Sequence, residues 1–451
     1  MNQKQILSIL ILTLILTIFM IMVFSLSIDN SIILLIPVII LVAIYIVINP
    51  FSGICFYIFS LMHPKLIQRK LFDIYIPQLF LLIVGSSFLL YYMQETIISK
   101  DLRDLKKIFF CMIGYTGSIL FVSLINGSGN YLQIFFYAFK IFLLPLMIIS
   151  SIKSKKRLDI FLIILISSGI LLISVGIVEL LIGKTFFYSL WTLTERYRFG
   201  IMRMGSTVAD PNYICFAIVP LIPIASYFFK TRKGLIKIYF CLIIIFFVSG
   251  IFLTVSRIGI LTLAFIFTFM YYQKNILLKL KNPFFKKILL MLFVIFILIG
   301  SIYLYFIITE STESELSTNT RTNSLLISLY SFWKHPLVGV GMHKLEMENA
   351  LFIYSPLTLS GGISSMNTYI KILAENGIIS FIFFILLIIL TYKRISAKEI
   401  HDEIFSFVKI SLIAWLIIAL TLDSMGTIVF WCIVSISMLD DDLFRNEEGI
   451  N

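Results

Sequence analysis

Runs of about twenty apolar residues recur along the whole chain, and they constrain its fold more than any other feature. The first, "ILSILILTLILTIFMIMVFSLSI" at 6–28, is long enough to cross the hydrocarbon core of a bilayer as one helix. Apolar residues make up 60% of the chain and charged residues only 13%, against roughly 25% charged in a soluble domain. The alternating ten-residue segments typical of a membrane β-barrel do not occur in the sequence. The sequence therefore predicts an all-α fold, a polytopic transmembrane helical bundle.

The number of spans follows from counting apolar segments of this length. We expect 12 to 14 spans, with fourteen as the best count, in a single integral membrane domain that covers residues 1–451. Two segments, 51–62 and 425–439, are short for a span and could instead be re-entrant or interfacial. The other predicted spans are 6–28, 31–48, 77–93, 108–125, 131–150, 158–182, 211–229, 238–254, 258–272, 288–308, 368–392 and 404–422.

Lysine and arginine lie mostly between the spans and indicate the orientation of the bundle. With the N-terminus inside and the spans alternating, 22 of the 36 basic residues fall in inside segments. Basic residues clustered in the inside segments therefore account for the net charge of +12, and we expect no nucleic-acid partner. The longest outside segments are the loop 183–210 and the large loop 309–367; the basic cluster 63–70 is also placed outside.

The large outside loop contains "TNSLLISLYSFWKHP", which has the pattern of a helix. Leu325, Leu329 and Trp333 recur at helical spacing, while Ser324 and Ser328 take the opposite face. We expect an amphipathic helix that lies on the outer membrane surface.

Four arginines near the outside face point to an anionic ligand. Arg257 interrupts the apolar stretch "GIFLTVSRIGILTLAF", where an ionised side chain is costly unless it has a partner. It could be a snorkelling arginine at a helix end or a phosphate ligand, since guanidinium donors match phosphate oxygens. Arg198 and Arg203 lie in the first long outside loop, where the orientation rule disfavours positive charge, and Arg321 precedes the amphipathic helix.

Other polar residues accompany these arginines. Asp210 is a good N-cap for the span that follows it, and Asn212 comes two residues later. His335 could stabilise a helix C-terminus or act as an acid or base. Gly339 and Gly341 would let the backbone approach a ligand or another helix closely.

Polar residues also lie within the apolar spans. Asn367 and Glu375 are eight residues apart and face one side of a predicted helix, while Lys371 and Glu375 could simply pair. Lys140 could bind an anion or form an ion pair. The sequence contains no Walker loop, HExxH, GxSxG or metal-ligand cluster. We therefore expect no metal or other cofactor, and an enzyme of this kind would use neither ATP nor a nucleotide sugar.

Four segments resemble, in order, the motifs of the bacterial O-antigen ligase and polymerase family. They are "RMGSTVADPNY" (203–213), "LTVSRIGIL" (253–261), "TRTNSLLISLYSFWKHPLVGVG" (320–341) and "NTYIKILAENGIISF" (367–381). The resemblance implies a metal-independent glycosyltransferase in the bacterial cytoplasmic membrane, with an outward-facing site and undecaprenyl-diphosphate-linked oligosaccharides as substrates. Besides membrane lipid, it implies a flippase and a chain-length regulator as partners.

The resemblance also implies roles for individual residues. Arg203, Arg257 and Arg321 match family arginines and would neutralise the departing lipid diphosphate, although the glycine of the Ser-Arg-Gly motif is displaced here to Gly259. The predicted catalytic residues are Arg257, Arg321, Arg203, His335 and Glu375. The predicted substrate-binding residues are Arg198, Asp210, Asn212, Lys140, Asn367, Gly339 and Gly341.

One departure from the family pattern separates two activities. The family commonly has histidine or arginine eleven residues before the glycine of the last motif, and here Met366 stands eleven residues before Gly377. That histidine is thought to be the general base of ligases, so Met366 favours a polysaccharide polymerase over a ligase that moves glycan to lipid or protein. A base would then be His335, His343, Glu375 or Asp210. A flippase for the same lipid-linked units is the alternative from another class, but no two similar halves are evident.

Overall fold

A computed structural model of the chain shows a bundle that is almost entirely helical. It describes residues 49–63, 70–71, 74–75, 81, 84–85, 102–127, 131–183, 197–198, 201–208, 210–272, 324–342, 344, 367–421 and 428–440. The helices are α1 Pro50–Leu61, α2 Leu102–Ile125, α3 Tyr131–Ser151, α4 Lys155–Ile182, α5 Pro211–Ile218, α6 Leu221–Thr231, α7 Gly234–Leu253, α8 Arg257–Tyr272, α9 324–334, α10 Thr368–Lys398, α11 Ile404–Ala419 and α12 Ile428–Ser437.

Two small antiparallel ladders accompany the helices in the described part of the chain. β1 Lys70–Leu71 pairs with β2 Ile74–Tyr75, and β3 Tyr197–Arg198 pairs with β4 Ile201–Met202. A short 3-10 turn at Ser206–Val208 follows β4. The prediction of an all-α membrane protein is confirmed.

The described helices begin and end close to the predicted spans. Six helical segments in the described part of the chain are long and apolar enough to cross a membrane, with α5 and α6 forming one of them, Pro211–Thr231. Helices α1, α8, α11 and α12 are apolar but shorter. The predicted spans 6–28, 31–48 and 288–308, and most of 77–93, lie outside the described residues, so the count of fourteen stays a prediction.

Local sequence signals explain several helix ends. Ser154 precedes α4, and its Oγ accepts a hydrogen bond from the Arg157 backbone N–H at 3.3 Å. The same helix ends at Gly183, which adopts a left-handed conformation with φ +67°. Each cap satisfies backbone groups that would otherwise be unpaired at a helix terminus.

Three of the predicted inside segments meet at one end of the bundle, which we call the basic end. Its segments are 151–157, 230–237 and 393–403. Lys155 Nζ lies 2.7 Å from an Asp402 carboxylate oxygen, joining two of these segments. Further ion pairs at this end are Lys230–Glu403, Arg232–Asp159 and Lys409–Glu399. The contacts bring together basic segments far apart in sequence, as the alternation of spans requires.

The opposite end, which we call the distal end, holds residues 126–127, 203–208, 210, 254–256 and 339–341. Of these, 203–208, 210 and 339–341 belong to the two long loops predicted to lie outside. Its described backbone contacts include Met204 N–H donating to the Leu253 carbonyl at 3.2 Å. Asn126 Nδ2 donates to the Gly339 carbonyl at 3.0 Å. His63, the first residue of the basic cluster 63–70, lies at this end, because its Nδ1 is 2.9 Å from Thr207 Oγ1.

Aromatic and small residues interlock the helices between the two ends. Trp415 of α11 stacks on Phe430 of α12 with ring centroids 4.1 Å apart. Gly114 of α2 leaves room for the ring of Phe383 of α10, whose Cζ would lie 2.6 Å from an added Cβ. Many large apolar side chains instead point away from the described protein, as lipid-facing side chains do; they include Phe110, Phe121, Leu242, Leu261 and Ile382.

Candidate functional site

A tight turn at residues 254–256, between α7 and α8, is the centre of a group of contacting residues at the distal end. We call this group, which also includes Arg203 and Asn212, the Arg203 cluster. Val255 in this turn has φ +50°, a left-handed conformation that is strained for a β-branched residue. Ser256 N–H donates to Thr254 Oγ1 at 3.2 Å, and Thr254 Oγ1 donates to the Ile251 carbonyl at 2.6 Å. The turn brings the chain back into the bundle and places Arg257 at the first residue of α8.

A displaced glycine allows α8 to pack closely against α5. An added Cβ at Gly259 would lie 3.0 Å from Cys215 Cβ and closer still to its sulfur. Cys215 Sγ lies 3.2 Å from Thr254 Oγ1, so α5 also contacts the turn. Gly259 therefore lies at the contact between α5 and α8.

Arg203 is buried in this cluster although it comes from a loop predicted to lie outside. Its Nε donates to the Thr254 carbonyl at 3.0 Å, and its Nη2 donates to Asn212 Oδ1 at 3.1 Å. Ser256 Oγ donates to the same Asn212 oxygen at 2.9 Å. A single amide oxygen therefore links the segment that carries Arg203, the start of α5 and the turn before Arg257.

Arg257 follows that turn, and its side chain is half-buried. Its Nε is buried and has no hydrogen-bond partner within the described part of the chain. Leaving a buried charged donor unpaired costs free energy, so such a group usually meets an anion or water. The N-terminus of α8 adds a partial positive charge at the same place. The cluster is therefore suited to bind an anion such as phosphate.

Asp210 caps α5, as the sequence predicts. Its Oδ1 accepts a hydrogen bond from the Asn212 backbone N–H at 2.7 Å. Burial raises the pKa of the Asp210 carboxyl above its ordinary value, and the Asn212 bond and nearby Arg203 oppose that rise. Asp210 therefore serves at least as a structural cap beside the arginine.

The second distal cluster forms where the large loop docks on α10. Gly377 interrupts α10 with φ +75° and ψ −179°, and the break frees carbonyl groups of the preceding turn. Val340 N–H donates to the Ala374 carbonyl at 2.9 Å, and Gly341 N–H donates to the Glu375 carbonyl at 2.8 Å. The sequence predicts an unbroken span at 368–392, so the break is a departure from that prediction.

Two glycines make this docking sterically feasible. An added Cβ on Gly339 would lie 2.5 Å from the Glu375 carbonyl carbon and oxygen. One on Gly377 would lie 2.5 Å from the Leu337 carbonyl carbon and closer to its oxygen. The predicted close approach of Gly339 and Gly341 to another helix is thus observed, and the neighbour is the broken part of α10.

Helix α9 has the amphipathic pattern predicted for the large loop. Ser324, Ser328 and Ser331 are buried against the protein, while the apolar side chains of the other face are exposed. Trp333 is the most exposed of these, at 84%. His335 lies at the end of α9 with an exposed side chain, and its carbonyl accepts the Gly339 N–H at 2.8 Å.

Three further residues that the sequence predicts for the site, Glu375, Asn367 and Lys140, belong to α10, its N-cap and α3. Lys371 Nζ lies 3.7 Å from Glu375 Oε1, which is the pairing that the sequence allows. Asn367, predicted to share a helix face with Glu375, is the N-cap of α10, and its Oδ1 accepts from the Tyr369 and Ile370 N–H groups. Lys140 on α3 places its Nζ 5.3 Å from the Tyr137 ring centroid.

The described hydrogen bonds of the two clusters lead to different helices. The Arg203 cluster and the adjoining Ser206 are hydrogen-bonded to α4, α5 and α7. The turn at 339–341 in the large loop is hydrogen-bonded to α10 and to Asn126 at the end of α2. Arg321, His343 and Met366 lie outside the described residues, as does the side chain of Arg198.

Two buried residues missed in the sequence hold the segment that carries Arg203. Glu179, within an apolar span, accepts the Ser206 N–H at 2.9 Å. A charged residue in a span is a signal that could have identified it. His63 contacts Thr207 and is fully buried, and burial lowers the pKa of His63 to about 3. Its ring is therefore neutral at pH 7.

Comparison with known proteins finds a family to which part of the chain is similar. The family model described as O-antigen ligase matches residues 241–385. This range runs from α7 through Arg257 and the large loop to α10, whereas Arg203, Asp210 and Asn212 precede it. No curated protein matches the chain.

Proposed function

We propose that the chain, which matches the O-antigen ligase family model over residues 241–385 and has helices long and apolar enough to cross a membrane, is a polysaccharide polymerase. It joins undecaprenyl-diphosphate-linked oligosaccharide units, of O-antigen or capsule type, on the extracytoplasmic face of the bacterial cytoplasmic membrane. The distal end faces outward in this proposal, because the basic end carries the clusters expected to remain in the cytoplasm.

The observation that carries the proposal is the convergence of Arg203 and Arg257 on the turn at 254–256. Arg203 is held by the Thr254 carbonyl and by Asn212, and Arg257 presents a buried, unpartnered Nε within the described residues. Two guanidinium groups beside a helix N-terminus match the charge of a diphosphate, which presents several oxygens to paired donors. Arg321 of the large loop is proposed as a third ligand.

Arginines at this position would assist the departure of the lipid diphosphate. A hydroxyl oxygen of the acceptor sugar attacks the anomeric carbon of the donor unit and forms the new glycosidic bond. The bond from that carbon to the diphosphate oxygen breaks, and the electron pair leaves with the diphosphate. Negative charge grows on that oxygen in the transition state, so donors already aimed at it lower the barrier. The acceptor proton passes to a base.

Four residues are candidates for the base: His335, His343, Glu375 and Asp210. For Asp210, capping and proton transfer make different predictions. Asp210→Asn keeps an oxygen that can accept the Asn212 N–H, so we expect its thermal unfolding in detergent to stay near wild type. Asp210→Ala should lose about 1 kcal/mol, the usual cost of removing an N-cap.

The rate of polymer formation separates the two roles of Asp210. If it acts only as a cap, Asp210→Asn forms polymer at nearly the wild-type rate. A rate as low for Asp210→Asn as for Asp210→Ala, with stability retained, would identify Asp210 as the base instead.

A ligase is the second candidate, because the matching family model is described as O-antigen ligase. Met366 favours the polymerase, since it stands where the resemblance places the ligase base.

Helix α9 is proposed to lie on the outer membrane surface with its exposed apolar face in the lipid headgroup region, where it roofs the site.

The test is reconstitution of the purified protein with lipid-linked units extracted from cells that lack this gene. ATP, nucleotide sugars and divalent metals are left out, and EDTA is present. A polymerase gives a ladder of products that differ by one repeat unit. Product formed only after a lipid or protein acceptor is added indicates a ligase. Movement of units across proteoliposomes without a new covalent product indicates a flippase.

A further inference from the structure

A fully buried carboxylate lies near the distal end of α4, next to the segment that carries Arg203. Glu179 is 0% exposed, and its Oε2 accepts the Ser206 N–H at 2.9 Å. An ionisable residue inside an apolar span costs free energy and usually has a functional reason. The contact with Ser206 indicates that this reason concerns the segment 203–208.

Helix α4 provides two further features that fit this segment. Ser206 Oγ donates to the Leu172 carbonyl at 2.5 Å, about two helical turns before Glu179. Gly176, between them, leaves room for Met204, whose Sδ would lie 2.5 Å from an added Cβ. Three positions on one stretch of α4 thus shape the path of the segment.

The segment adopts a conformation that needs such support. Ser206 has φ +51°, a left-handed conformation that costs a residue with a side chain roughly 1–2 kcal/mol. Strained residues persist where several contacts fix them together. Here the backbone N–H and the hydroxyl of Ser206 are both held by α4.

Arg203 lies three residues before Ser206, and its guanidinium is fixed at the far end by Thr254 and Asn212. Met204 N–H donates to the Leu253 carbonyl at 3.2 Å, so the backbone between Arg203 and Ser206 is also held. A continuous set of contacts therefore runs from Glu179 through Ser206 to the arginine.

We propose that Glu179 is a positioning residue: its carboxylate fixes the segment 203–208 against α4 and so holds Arg203 where it meets the anionic group of the substrate. The proposal rests on the proposed function for its effect on rate, but its structural part can be tested separately. Glu179 acts through Arg203 and does not contact the reacting atoms.

The first test measures hydrogen exchange of the Ser206 amide in the purified full chain. Glu179→Leu replaces the accepting carboxylate with an apolar side chain of similar volume. Glu179→Gln retains an oxygen that can accept the Ser206 N–H. Ser174→Ala is the matched control, because its Oγ bonds only within α4 in the described contacts, to the Ile170 carbonyl at 2.9 Å. We expect faster exchange in Glu179→Leu and near wild-type exchange in the other two. Unchanged exchange in Glu179→Leu would overturn the proposal.

The second test compares polymerisation rates in wild-type and Arg203→Ala backgrounds. Glu179→Leu should lower the rate about tenfold or more when Arg203 is present, and Glu179→Gln should restore most of it. Glu179→Leu should cause little further loss in the Arg203→Ala background, since its effect passes through that arginine. Equal losses in both backgrounds contradict the proposal. A different result is faster exchange of the Ser206 amide in Glu179→Leu together with a normal polymerisation rate in Arg203→Ala. That result supports the structural role of Glu179 but contradicts the proposed role of Arg203 in the reaction.

Discussion

Replacing Arg257 by alanine is expected to remove most polymer formation while leaving the protein folded. The side chain is half-buried at the start of α8 and keeps an unpartnered Nε among the described residues. Loss of a donor aimed at developing negative charge costs about 2–4 kcal/mol of barrier, or roughly 30- to 1000-fold in rate. The measurement is the initial rate of ladder formation from lipid-linked units, with the mutant protein quantified by size-exclusion chromatography.

Arg157→Ala is the matched control for this prediction. Arg157 is an arginine at the basic end, where its Nη1 donates to the Ser151 carbonyl at 2.9 Å. Its loss removes the same charge from the opposite end of the bundle, so any decrease in rate should follow the loss of folded protein. Equal losses of rate per folded molecule in Arg157→Ala and Arg257→Ala would exclude a local role for Arg257.

Gly377→Ala is expected to destabilise the docking of the large loop on α10. Its φ and ψ lie in a region that is essentially restricted to glycine, and a side chain there costs about 1–3 kcal/mol in strain. The new methyl group would also collide with backbone atoms of Leu337, which cannot rotate away as a flexible side chain could. We expect a loss of about 3 kcal/mol or more in stability, measured by thermal unfolding in detergent and by limited proteolysis of the large loop.

Gly117→Ala tests whether such an effect is specific to the break. Gly117 lies on α2, and an added Cβ meets nothing within 4 Å among the described residues. Alanine favours helix over glycine, so this variant should be as stable as wild type or slightly more so. Wild-type stability and protease resistance in Gly377→Ala would show that the turn at 339–341 does not depend on the glycine.

The membrane fold was predictable because its signal is local. An apolar run long enough to cross a bilayer forms a helix whatever its neighbours are, since every backbone group must be satisfied within the run. The cap at Asp210 and the pairing of Lys371 with Glu375 were predictable for the same reason, because each depends on residues two to four positions apart.

Features that depend on distant segments were not predictable from one sequence. The break at Gly377 exists because backbone N–H groups of Val340 and Gly341 take the carbonyls that it frees. Arg203 was predicted to be near an anion, but its bond to the Thr254 carbonyl joins residues 51 positions apart. Glu179 interacts with a segment 27 residues away, and no periodic pattern marks that contact.

Binding of a short-chain polyprenyl diphosphate to the purified protein tests the central claim most directly. The account predicts that the wild-type protein binds the diphosphate more tightly than the matching monophosphate, and that Arg257→Ala weakens diphosphate binding about tenfold or more. Arg157→Ala should bind as wild type does. Equal diphosphate affinities for wild type, Arg257→Ala and Arg203→Ala would contradict the account, because the distal arginines would then have no part in holding the lipid diphosphate.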